Sequence, residues 1–173
     1  MCPSTKSGIL FLILYLERTT PMTIKHTDGT HPDFVSLCEQ LDAHLTAESS
    51  EVEMRTIYNQ HNVRDHIHDV FIAYVDDMPV GCAAFKQYRQ GTAEVKRVFV
   101  HPAHRGKHIA DALMDALEHH ARQAGYRTLI LETGRTLAAA HALYRKRGYA
   151  VIPNYDPYIG LPDSMCMQKE LPD

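Results

Sequence analysis

A chain of 173 residues, 45% of them hydrophobic and 23% charged, can bury one sizeable core and is too short for two domains of ordinary size. Its formal net charge of -3 at pH 7, with no basic stretch interleaved with aromatics, argues against nucleic acid as a partner. The four cysteines, Cys2, Cys38, Cys82 and Cys166, lie far apart without a C-x-x-C pair, so no redox or cysteine-metal motif is expected, and reduced thiols fit a cytoplasmic protein.

The stretch "GILFLILYL", Gly8 to Leu16, is strongly apolar but well short of the roughly 20 residues that cross a bilayer. No small-residue cleavage pattern follows it, so neither membrane insertion nor secretion is expected. A second methionine, Met22, opens "MTIKHTDG", which reads as a first strand. Residues 1–21 are therefore expected to be an appendage or the result of a start placed too early, and residues 22–173 the domain.

From Pro32, a good first-turn residue, Phe34, Cys38, Leu41 and Leu45 recur at helical spacing. A polar helical segment, Glu51 to Gln60, leads to "DVFIAYV" and "VGCAAFKQY", which read as paired strands around "DDMP". The turn "RQGT" leads into "AEVKRVFV", then to a helix from about Lys107 to Gln123 with Ile109, Leu113, Leu117 and Ala121 on one stripe and Gly125 as its cap. "RTLILET" is a strand, "TLAAAHALYRKRG" a helix ending at Gly148, and "YAVI" and "SMCMQKEL" close the chain as strands. The fold class is α/β (α+β), antiparallel in its first half.

The junction "VKRVFVHPAHRGKHIADALM", Val95 to Met114, puts small residues and positive charge where a strand becomes a helix. Free backbone N–H groups and the positive end of the helix dipole make such a junction an anion site. Neither the P-loop pattern G-x-x-x-x-G-K-[ST] nor the dinucleotide pattern G-x-G-x-x-G is present. The junction instead resembles that of the GNAT superfamily of acyl-CoA-dependent N-acetyltransferases, whose pyrophosphate loop reads Q/R-x-x-G-x-G/A, here Arg105, Gly106, Lys107, His108, Ile109 and Ala110. "YVDDMPVGCAAF", "AEVKRVFVHPAHRGK", "LILET" and "AHALYRKRGY" follow the family's order and spacing from about Met22 to Leu171.

That resemblance implies a GNAT fold, a mixed central sheet of about six to seven strands flanked by about four helices. It implies acetyl-CoA as cosubstrate, with the pyrophosphate on the backbone of residues 106–110, the pantetheine arm on backbone groups of Val98 and Val100, and Arg105 opening the loop. His108 stands where the family usually has a glycine, and Leu137 where it often has an asparagine.

An alkyl amine with a pKa of about 10.4 must lose a proton before it attacks a thioester, and a thiolate leaving group of pKa about 8.5 gains from a proton donor. By the resemblance, Glu94 is the base, Tyr144 the acid, and a strand N–H, that of Val98, meets the oxyanion. Glu132, Tyr155 and Tyr158 are expected on the acceptor side. Plainer readings stand beside these: Glu94 as a solvent-facing strand residue, Tyr144 as core, Glu132 as a cap on the helix begun at Thr136, and "NYDPYIG" as a packed turn. His101, His104 and His108 do not share a helix face across Pro102 and Gly106, so no metal is expected. The expected function is transfer of acetyl from acetyl-CoA to a primary amine of a small molecule or peptide in a ternary complex. The alternative is an acyl-CoA sensor of the same fold without turnover. Homodimers are common in the family, but nothing in the sequence marks an interface, so monomer and homodimer both stay open.

Overall fold

The computed structural model describes residues 21–48 and 67–172. The expected helix from Glu51 to Gln60 and the apolar N-terminal stretch lie outside them. In chain order the elements are β1 (Thr23–Thr27), α1 (Pro32–Glu48), β2 (Asp69–Val75), β3 (Met78–Arg89), β4 (Thr92–Val100), a 3-10 turn (Pro102–His104), α2 (Ile109–Gln123), β5 (Thr128–Gly134), α3 (Ala138–Lys146), β6 (Ala150–Ile152) and β7 (Ser164–Glu170).

The strands form one seven-stranded sheet in the order β1-β2-β3-β4-β5-β7-β6. Neighbours are antiparallel throughout except β4 and β5, which α2 joins as a parallel crossover. Alternation sorts the sheet's side chains into two layers of core. Phe71, Phe85, Val95, Leu129 and Met167 pack beneath Leu113 and Leu117 of α2 and Tyr144 of α3. Val70, Ile72, Cys82, Ala84 and Phe99 pack on the other face against Phe34, Leu37 and Cys38 of α1. Among the described residues no helix is long and apolar enough to cross a membrane.

Both helices of the first layer end as their glycines predict. Gly125 (φ 90°) and Gly148 (φ 86°) take the left-handed conformation, and the N–H groups of Tyr126 and Tyr149 bond back 3.0 Å to the carbonyls of Ala121 and Tyr144. Helix starts differ from expectation by a turn or less. α2 begins at Ile109, because His108 is left-handed and cannot be the helix's first residue, and α3 begins at Ala138 after Leu137.

Two irregularities of β4 open the sheet. Pairing with β5 covers only Thr92↔Thr128, Ala93↔Leu129 and Glu94↔Ile130, and beyond Glu94 the strands part. On the other side the β3 register shifts between Cys82 and Ala84, opposite a bulge at Arg97 (φ 56°) that re-aims the last residues of β4.

Candidate active site

The parting of β4 from β5 is the floor of a cleft of about 530 Å³. Leu41 and His44 of α1 form one wall, Val98 to Val100 the floor, Leu137 to Ala140 and Tyr144 the opposite wall, and Arg105, Gly106 and His108 to Asp111 the mouth. Of the loop residues expected at the cofactor, Lys107 alone does not border the cleft.

Local bonding shapes the mouth. Arg105 Nε donates to the Val100 carbonyl at 3.1 Å, and its Nη2 lies 2.9 Å from His44 Nε2, so one guanidinium links loop, strand and α1. Gly106 and His108 both have positive φ, 77° and 58°. The first bond of α2 runs from the Ala112 N–H to the His108 carbonyl, 3.1 Å, leaving the N–H groups of Ile109, Ala110 and Asp111 without intrahelical acceptors. Those donors and the dipole suit a phosphate. The left-handed geometry is why glycine is the easier residue at position 108. The imidazole points outward, 82% exposed, and its Nδ1 lies 3.2 Å from Asp111. Lys146, 3.0 Å away, together with His108 holds the Asp111 carboxyl below the usual carboxylate range.

Tyr144 is buried in the cleft wall, its ring edge-on to Tyr149 at 5.6 Å. Burial, aided by the charge of Glu132, pushes its phenol well above the ordinary value, so the hydroxyl stays protonated and can donate.

Glu94, Glu132, Tyr155 and Tyr158 do not border this cleft. They form a second cluster where β4, β5 and the 153–164 loop meet, with Glu94 and Tyr158 buried and Glu132 and Tyr155 half-buried. The Glu94 side chain is 4% exposed, which removes the reading of it as a solvent-facing residue. Its Oε1 accepts from Tyr155 Oη at 3.2 Å and Tyr158 Oη at 3.1 Å, with Lys96 Nζ 3.5 Å away, and Lys86 Nζ lies 3.7 Å from Oε2. Lys96 Nζ also donates to Tyr158 Oη at 2.7 Å. Burial lowers the Lys96 ammonium below its ordinary value despite the opposing pull of Glu94. Burial and the Glu94 charge push both phenols up.

Glu132 accepts from Ser164 Oγ at 2.7 Å across the β5–β7 ladder, and burial raises its carboxyl. It does not cap α3, whose N-cap residue, Leu137, makes no side-chain capping bond. Asn154 pins the loop through Nδ2, which donates to the carbonyls of Tyr158, Leu161 and Ser164 at 3.1, 3.2 and 3.4 Å.

Sequence reasoning missed Lys96, His44, Ser164 and Asn154. Lys96 carried a signal, since strand alternation in "AEVKRVFV" puts it on the face of Glu94. His44 and Ser164 reach the site only through tertiary packing.

The sequence profile of the acetyltransferase (GNAT) family matches residues 34–149. An IAA acetyltransferase of Azospirillum brasilense is 35% identical over 156 residues, 87% of this chain and 98% of its own length. A crystal structure from Klebsiella pneumoniae, described as an acyl-CoA N-acyltransferase, is 32% identical with a TM-score of 0.72 and covers 87% of this chain and 97% of that one. An acetyltransferase structure from Salmonella typhimurium with its cofactor acetyl-CoA shares the fold at 23% identity, TM-score 0.64, covering 88% of this chain and 95% of that one.

Proposed function

Because the chain belongs to the GNAT acetyltransferase family and is an acyltransferase, we propose that it moves an acetyl group from acetyl-CoA to a primary amine of a small molecule or peptide, by direct attack in a ternary complex. The observation that carries this reading is the parting of β4 from β5 after Glu94 and Ile130, with the Arg105–Ala110 turn at the mouth of the cleft and Tyr144 in its wall.

In this reading the N–H groups from Gly106 to Ala110 hold the pyrophosphate, and the edge of β4 that β5 no longer uses, at Val98 and Val100, holds the pantetheine arm as a neighbouring strand would. The Val98 N–H meets the charge that develops on the thioester oxygen. The amine nitrogen forms its bond to the acetyl carbon, the carbon–sulfur bond breaks, and the sulfur takes its proton from Tyr144. The amine's proton goes to Glu94. Four residues of strand, about 13 Å, separate Glu94 from Val98, so the proton travels through the Tyr158 or Tyr155 hydroxyl, or water, and not directly. The cycle closes when Tyr144 takes up the second proton, which the nitrogen sheds as it becomes an amide, and Glu94 releases the first to solvent. Glu132, Tyr155 and Tyr158 bound the acceptor side. A cytoplasmic location and a domain at residues 22–173 belong to the same proposal.

The test is calorimetry of the full chain with acetyl-CoA, followed by thiol release against a panel of primary amines. Binding with amine-dependent release supports the reading and starts to name the acceptor. Binding without release from any amine favours the acyl-CoA sensor, and failure to bind overturns the phosphate cradle.

A further inference from the structure

At the end of α2 away from the cleft, three side chains converge: His26 of β1, Asp69 at the start of β2 and His120 in the last turn of α2. The register accounts for the meeting. His26 pairs with Phe71 across the β1–β2 ladder, so Asp69, on the same face of β2, is its diagonal neighbour. α2 packs over this face through Leu117 and Ala121 and brings His120 edge-on to Phe71 at 5.6 Å. His26 Nε2 and His120 Nε2 each lie 3.0 Å from the same oxygen, Asp69 Oδ1. The ligand atoms of all three residues are within 4.8 Å of one another.

We propose that His26, Asp69 and His120 bind a zinc ion at a site separate from the acetyl-transfer cleft. Two imidazoles and a carboxylate are a ligand set that suits zinc, with a fourth position left for water. A tetrahedral ion about 2.0–2.2 Å from each ligand atom sets those atoms roughly 3.3–3.6 Å apart. The two histidine–aspartate spacings of 3.0 Å therefore open by a few tenths of an ångström, and the two imidazole nitrogens, already within 4.8 Å of one another, adjust to the same span. The imidazoles are held by ring contacts, His26 stacked on Phe71 at 4.9 Å and 4.3 Å from His120, so little side-chain freedom is lost on binding. The side chains of His26, Asp69 and His120 are 44%, 28% and 34% exposed, which leaves the ion a path in.

Eleven residues of helix, about 16 Å, separate Ile109 at the cleft from His120, so the ion takes no part in acetyl transfer. It ties β1, which among the described residues is an edge strand paired with β2, to α2. Its effect is therefore on stability.

The full chain, stripped by chelator, is titrated with Zn²⁺ by calorimetry and with Co²⁺ by visible absorption, beside His26→Gln and His120→Gln. Expected are a zinc-dependent rise in melting temperature, tetrahedral Co²⁺ bands, and a loss of affinity in each variant larger than the roughly 10–100-fold that an outer-shell partner is worth. Acetyl-CoA binding, unchanged in the variants, reports that they fold. Absence of zinc binding overturns the proposal. So does zinc binding that survives undiminished in both variants, which assigns the ion to others of the chain's 12 histidines.

Discussion

Lys96 Nζ lies 2.7 Å from the Tyr158 hydroxyl, with both side chains buried under the 153–164 loop. The hydroxyl accepts from the ammonium and directs its own proton to Glu94 at 3.1 Å, so one phenol joins a buried cation to a buried anion. Removing it leaves each charge one partner short.

Tyr158→Phe should therefore cost about 1–3 kcal/mol in denaturant unfolding. The stronger readout is kinetic. If Tyr158 passes the acceptor's proton to Glu94, the variant depends on amine already deprotonated in solution. Its log kcat/KM should then climb with pH toward the amine pKa of about 10.4, while the parent levels off sooner. A parallel profile for the two would leave Tyr158 a structural residue only.

Tyr144→Phe tests the acid. The loss of one general acid lowers kcat by about 10²–10⁴-fold, with acetyl-CoA affinity nearly unchanged because the ring still fills the cleft wall. Burial and Glu132 hold the phenol well above its ordinary value. The parent's rate should consequently show no loss from Tyr144 ionisation at or below a pH of about 10. Unaltered kcat in the phenylalanine variant would return Tyr144 to the core.

His108 has φ 58°, a conformation that costs a residue with a β-carbon about 1–2 kcal/mol. Glycine removes that cost but loses about 0.5–1 kcal/mol more backbone entropy on folding. The lost contact to Asp111 is at the surface and counts for little. His108→Gly should thus leave stability equal or higher by up to about 1.5 kcal/mol, and calorimetry should find acetyl-CoA bound at least as tightly. Weaker binding would mean that the imidazole itself contributes attraction.

Legibility followed the range of the interactions. β2 and β3 are readable as apolar runs on either side of "DDMP", β4 from its alternation, α2 from its stripe of Ile109, Leu113, Leu117 and Ala121, and both helix ends from Gly125 and Gly148, because each signal is local. The parting of β4 from β5 is not, since nothing in either strand states how many rungs it shares with the other. Glu94 was singled out through the family resemblance, but its enclosure by Lys96, Tyr155 and Tyr158 depends on a loop about sixty residues further on. The meeting of His26, Asp69 and His120 arises from strand register and helix packing together, and no spacing in the sequence announces it.

Glu132 gives a prediction in pH. Burial raises its carboxyl above the ordinary value, against the opposing effects of the Ser164 hydroxyl and Lys96. The folded protein thus holds a proton on Glu132 over a range where the unfolded chain has lost it. Stability from this residue is complete below the unfolded carboxyl value of about 4.3 and declines as pH rises through the higher folded value. Glu132→Gln removes that dependence and can still accept from Ser164. The variant should match the parent in acid and become progressively more stable than the parent above the ordinary carboxylate range, a difference read from urea unfolding at a series of pH values. A constant difference at every pH would show that Glu132 titrates alike in the folded and unfolded chain.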